Sequence, residues 1–166
     1  MSVIVTDTGF HADTWARGFA SAQQVVAASA AGAALPGVDM GWSDDPSVLL
    51  PCLDAIALIR VRFPHYNEVR GFDLAQALRA QGYRGRLRAQ GHVLAHQYTL
   101  ARRSGFDEVE IGVELARRQP EEHWRFRGNW RHAEFHSMMT AASMPRLADS
   151  PVADPAAALR PETEPA

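Results

Sequence analysis

The sequence predicts an α/β protein: a parallel sheet of repeated βα units, half-barrel-like or a small open sheet, with a helical C-terminal segment. Three observations carry this. From about residue 38 to 118, short apolar or β-branched runs alternate with helix-length stretches over short links, the pattern of a parallel sheet with right-handed crossovers. The run Ala55 to Phe63, AIALIRVRF, is apolar on both faces over its first half, as a buried parallel strand is. Glycines stand where one element changes to the next, at Gly71, Gly82, Gly91 and Gly105.

In chain order, Val3 to Thr6 is a β-branched run that reads as a strand. Asp13 or Thr14 is placed to cap a helix reaching about Ala31 through Trp15, Phe19, Val25 and Val26. Leu35-Pro36-Gly37 breaks that helix, and Val38 to Trp42 reads as a strand. Asp44-Asp45-Pro46 is an N-cap followed by proline in a first turn, opening a short helix through Leu49, Leu50 and Leu53. Pro64 stops the Ala55 to Phe63 strand, and His65 to Arg70 is a polar loop. The next helix runs from about Phe72 to Gln81, with Phe72, Ala75, Leu78 and Arg79 on one stripe and Gly82 as its left-handed cap. Arg86 to Gln90 is a short strand with Leu87 and Ala89 on one face and Arg86 and Arg88 on the other. A helix from His92 to Ser104 follows, with Val93, Leu94, Gln97, Tyr98 and Ala101 inward, then a strand from Phe106 to Ile111. Pro120-Glu121-Glu122 opens a helical segment whose Trp124, Phe126, Trp130 and Phe135 are expected to pack over the sheet or its edge. Residues 1–144 are read as one domain. Residues 145–166, which hold five of the ten prolines, are read as a disordered Pro/Ala-rich tail.

Composition narrows the chemistry. Of 166 residues 46% are hydrophobic, enough for a packed core, and the net charge of −2 without a block of one sign argues against nucleic acid as a partner. All 17 basic residues are arginine. Without lysine there is no Walker-type phosphate loop and no Schiff-base chemistry. The single cysteine, Cys52, lies in an apolar run and reads as buried and inert. The N-terminal stretch lacks a signal-peptide pattern and no apolar run reaches transmembrane length, so a cytoplasmic protein that does not engage a membrane is expected. No dinucleotide fingerprint or nucleophile elbow occurs, and no cofactor can be named.

In parallel sheets ligands bind beyond the carboxyl ends of the strands. Those ends carry Arg60 and Arg62, then Arg88 and Gln90, then Glu110, and the loops add His65, Tyr66, Asn67, Arg70 and His92. Gly91 and the start of the helix at His92 offer free backbone N–H groups. Arg60, Arg62, Arg70, Arg88, Gly91 and His92 are therefore the candidate anion site, set against the simpler reading that the arginines pair with Glu68, Asp73, Glu108 and Glu110. His92/His96 and His132/His136 have the i, i+4 spacing of metal-binding pairs but lack the accompanying glutamate, and no metal is expected. An acid/base pair such as His92 with Glu110 is conceivable from composition alone.

Three blocks carry a family resemblance: Arg70 to Arg79, RGFDLAQALR; Gly82 to Gly91, GYRGRLRAQG; and Arg102 to Asp107, RRSGFD. Together they resemble the proteobacterial domain-of-unknown-function family nine-three-four, over roughly residues 38 to 136. That family's label is an oxidoreductase involved in sulfite reduction, resting on gene neighbourhood. The resemblance implies an accessory protein of assimilatory sulfate or sulfite reduction, binding an oxyanion or docking on sulfite reductase or a sulfate-activation-pathway reductase. A small oxidoreductase, and a structural interaction module presenting Trp124 and Trp130, are the other readings. The family supplies no catalytic residues. Where many members carry an aspartate after the second glycine block and a cysteine before G-F-D, this chain has His92 and Ser104, which argues against thiol redox chemistry there.

Overall fold

The computed structural model describes residues 2–129. Among them lie strands β1 (Ser2–Thr6), β2 (Gly9–His11), β3 (Phe19–Ala20), β4 (Gly37–Gly41), β5 (Leu58–Phe63), β6 (Arg86–Gly91) and β7 (Glu108–Gly112). The helices are α1 (Ala22–Ala30), α2 (Arg70–Ala80), α3 (Tyr98–Arg103), α4 (Val113–Arg118) and α5 (Glu121–Gly128), with 3-10 segments at Pro46–Ala55 and Ala95–Gln97. The described strands form one open sheet in the order β2-β1-β7-β6-β5-β4-β3. β3 to β7 are parallel. β1 pairs antiparallel with both β7 and β2, which corrects an all-parallel expectation at that edge.

From β3 to β7 each strand lies beside the next one in sequence. Right-handed links between such neighbours all return on the same side, so α1, the Pro46–Ala55 segment, α2 and α3 cover one face. That face is apolar. Val38, Met40, Ile59, Val61, Phe63, Leu87, Ala89 and Val109 are all buried and lie in lateral rows set by the strand register. Phe63 meets Phe72 of α2 and Phe106 with ring centroids 5.0 and 5.9 Å apart. A side chain at Gly71 would strike the Phe63 ring at 2.5 Å, so α2 can approach β5 only because glycine stands there. No helix among the described residues is long and apolar enough to cross a membrane.

Two expected helices are shorter than their sequence patterns. The one expected from Asp13 begins at Ala22, because Ser21 and Gln24 form a reciprocal capping box. Residues 12–18 instead run outside regular structure, and Phe19–Ala20 is an edge strand. The helix expected from His92 begins as a 3-10 turn at Ala95. Gly91 is left-handed at φ 112°, the His92 N–H donates to the Phe63 carbonyl at 2.9 Å, and Leu94 is extended. The Gln97 and Gln119 side chains accept from the Leu94 and Ala95 N–H groups at 2.9 and 2.8 Å. Asp45 caps the Pro46 segment as read, though its turns are 3-10. β5 starts at Leu58 rather than Ala55.

α5 packs on the α3 side of the sheet through Trp124, which is fully buried, lies edge-on to Tyr98 at 5.8 Å and donates to the Gln119 carbonyl. Trp124 is therefore core, which corrects its reading as an exposed partner contact, while Phe126 is 77% exposed. Trp130, Phe135, His132, His136 and the 145–166 tail lie outside the described residues.

Candidate functional site: the polar face of the sheet

The second face of the sheet carries charge. Strand register aligns Asp39, Arg60, Arg88 and Glu108 in one row across four strands, and Gly41, Arg62, Gln90 and Glu110 are distributed along the next. From these rows a ladder of alternating sign forms. Arg62 Nε lies 3.5 Å from Asp39, and Arg60 Nε donates to Asp39 at 3.1 Å. Arg60 reaches Glu110 at 3.6 Å. Arg88 Nη1 donates to Glu110 at 3.0 Å and its Nε to Glu108 at 2.6 Å. Arg86 Nη2 donates to both Glu108 oxygens at 2.8 and 3.0 Å. Opposite charges facing one another across strands stabilise a sheet.

Arg88 is the centre of this network and has no exposed surface. Burial works against its charge. Its hydrogen bonds to Asp13 and Glu108, with Glu110, outweigh that and hold the guanidinium protonated. Asp13 comes from residues 12–18 and takes the guanidinium in a fork, Nη1 to Oδ2 and Nη2 to Oδ1, both 2.8 Å. The hydrogen bond from Arg88 holds the Asp13 carboxyl below its ordinary value of 3.8.

Topology explains why Asp13 can be there. β2 and β3 are the two edges of the sheet, so residues 12–18 must cross its whole width. Six inter-strand gaps of about 4.8 Å span roughly 29 Å. The chain from His11 to Phe19 reaches roughly 26–29 Å at full extension. The segment is thus a strap over the polar face, running from one sheet edge to the other. Its residues are exposed apart from Trp15, which is half-buried and bonds the Gly18 carbonyl through Nε1 at 2.7 Å. Beyond the strap, Phe19 lies under the Arg60 guanidinium at 3.7 Å. Beside it a cleft of about 400 Å³ opens between strap, β1 and β2, lined by Thr6, Thr8, His11, Thr14, Arg86 and Glu108.

The residues expected to form an anion site divide into three groups. Arg60, Arg62 and Arg88 do come together on one face, and each is met by a carboxylate. Arg70 lies apart from them, stacked on the Trp42 ring at 3.6 Å and paired with Glu68 at 3.2 Å. Gly91 and His92 do not form the expected anion seat, because the His92 N–H is spent on Phe63 and no helix starts there. His92 and His96 are exposed and share no helix, and among the described residues no three ligating side chains gather around a metal position. Cys52 is buried, and burial pushes its thiol up.

Asp13 and the strap escaped the sequence reading, because an aspartate before an aromatic stretch looks like a helix cap. A usable signal was present. Arg60/Arg62, Arg86/Arg88 and Glu108/Glu110 are like-charged pairs two apart on three successive strands, and period two puts each pair on one face.

Searches of curated proteins and of solved structures find no match. Residues 37–135, more than half of the chain, match the model of one family, and the strands of the ladder from β4 to β7 all fall within that span. The chain belongs to the family described as "Bacterial protein of unknown function (DUF934)".

Proposed function

We propose that this chain is an accessory protein of assimilatory sulfate or sulfite reduction that works by docking on a reductase of that pathway. The pathway comes from the label attached to the family it resembles. The mode of action rests on one observation, the rim at the carboxyl ends of β4 and β5. There Arg70 stacks on Trp42 at 3.6 Å, and the loop leading into Arg70 carries Tyr66 and Val69, which are 64% and 59% exposed. Tyrosine, tryptophan and arginine are the side chains that dominate binding energy at protein interfaces, and here Tyr66 and Arg70 are exposed while Trp42 is half-buried. A guanidinium already stacked on an indole loses little freedom on binding. Arg62, more than half exposed at the same strand ends, adds positive charge to the patch. The matching partner surface presents carboxylates around an apolar centre.

The test is affinity purification of the tagged full-length chain from cells growing on sulfate. Sulfite reductase or a sulfate-activation reductase is expected to co-purify, and to be lost with Tyr66→Ala combined with Arg70→Ala at unchanged melting temperature. Capture of neither reductase, or equal capture by the double variant, overturns the reading.

A further inference from the structure

We infer that the Nη1/Nη2 edge of Arg88 is a binding site for the oxyanion group of a small molecule, closed in this structure by the carboxylate of Asp13. The site lies on the sheet beneath the strap, apart from the rim assigned to docking, and does not rest on that assignment.

The closing group is held differently from the other partners of Arg88. Glu108 and Glu110 belong to β7, inside the sheet. Asp13 belongs to a strap that lacks regular structure and is exposed on both sides of Asp13. Segments with few buried contacts open at the lowest free-energy cost. Its carboxylate occupies the fork as a bidentate ligand would, at 2.8 Å from each nitrogen. With Asp13 in place, the four arginines of the ladder face four carboxylates. With the strap lifted, Arg60, Arg62, Arg86 and Arg88 face only Asp39, Glu108 and Glu110, so the ladder as a whole is one negative charge short and Arg88 Nη2 loses its acceptor.

Room for the rest of a ligand lies alongside. Ala12 and Thr14, the neighbours of Asp13 on both sides, line the adjoining 400 Å³ cleft. That cleft adds the hydroxyls of Thr6, Thr8 and Thr14, the His11 ring and the Arg86 guanidinium. Thr8 and His11 already share a hydrogen bond at 2.9 Å. This set suits a hydroxyl-bearing small molecule whose carboxylate, sulfate-type or phosphate-type group replaces Asp13 on Arg88.

Arg17 sits in the strap, so trypsin cleavage after it reports strap opening. The full-length chain is digested in acetate, in sulfate and in chloride at equal ionic strength, and the fragment ending at Arg17 is followed by mass spectrometry. Cleavage of the wild type is expected to accelerate saturably in acetate or sulfate over chloride. Asp13→Asn, which keeps the shape and removes the charge, is expected to cleave on the order of tenfold faster in chloride, as loss of one charge-assisted fork implies. In Asp13→Ala, the melting temperature is expected to rise saturably with acetate or sulfate, beyond the rise of the wild type in the same salt. A response to acetate alone identifies a carboxylate ligand, and a response to sulfate alone a tetrahedral oxyanion. Equal wild-type cleavage in all three salts, or an Asp13→Ala melting temperature that moves only as the wild type does, overturns the inference.

Discussion

Arg88 shows how one side chain can be both costly and indispensable. Taking a guanidinium fully out of water is unfavourable, and three carboxylates recover that cost only while all are present. Removing Arg88 leaves Glu108 and Glu110 facing each other with Asp13 above them. Arg88→Ala is therefore expected to destabilise the protein by about 3–5 kcal/mol in denaturant unfolding. Arg79 plays a quieter role of the same kind. Its fork bonds the carbonyls of Tyr83, Gly85 and Gly105 at 2.8–3.0 Å and Asp107 at 2.8 Å, tying the end of α2 to the entries of β6 and β7. A lysine has one nitrogen and cannot span these acceptors, so Arg79→Lys is expected to lose roughly 2 kcal/mol in the same assay. Asp13 gives a pH signature. Its folded pKa is depressed by Arg88, so its contribution is fully present above the ordinary carboxyl value of 3.8 and is lost as pH falls through the lower folded value. Glu108 and Glu110 face Asp13 across Arg88, so the readout is a difference between wild type and a variant at Asp13 alone. The stability gap between wild type and Asp13→Asn is expected to hold steady from neutral pH to about pH 5 and to close below about pH 4.

At the scale of elements, turns decide where helices start. The long helix suggested by the apolar spacing after Gly91 is overridden by a backbone crossing. β5 and β6 lie side by side, and at Gly91 the chain passes so close to the Phe63 carbonyl that a Cβ would sit 2.5 Å from its oxygen. The residue is also left-handed, where a side chain is strained. Gly91→Ala should cost about 2 kcal/mol or more, measurable as a fall in melting temperature, with chemical-shift changes centred on Phe63 and His92. An unchanged melting temperature would show that this crossing is not what stops the helix. The same logic governs the strap. A helix through residues 14–20 would span about 1.5 Å per residue, and only an extended chain covers the distance between the two sheet edges.

For the molecule as a whole, the sequential order of β3 to β7 has one large consequence. All crossovers lie on one side, so the sheet has an apolar face under helices and a second face that must be made compatible with water by other means. It is covered by paired charges and a seven-residue strap. The core thus lies on one side of the sheet and the paired charges on the other.

Much of this architecture could be read from residue types. Alternating apolar runs, the buried character of AIALIRVRF and the positions of the glycines are local properties, and they marked the α/β class, the order of elements from Val38 onward and the two-residue phase that puts Arg60 with Arg62 and Arg86 with Arg88. Register and topology are not local. That Arg88 stands between Glu108 and Arg60, that β1 turns antiparallel onto β7, that Trp124 is inside, and that Asp13 crosses from a far edge to close over Arg88 depend on contacts between residues as far apart as Ser2 and Gly112. Such contacts are set by which strands lie side by side, an outcome of packing the whole apolar face at once, and no window of sequence contains it.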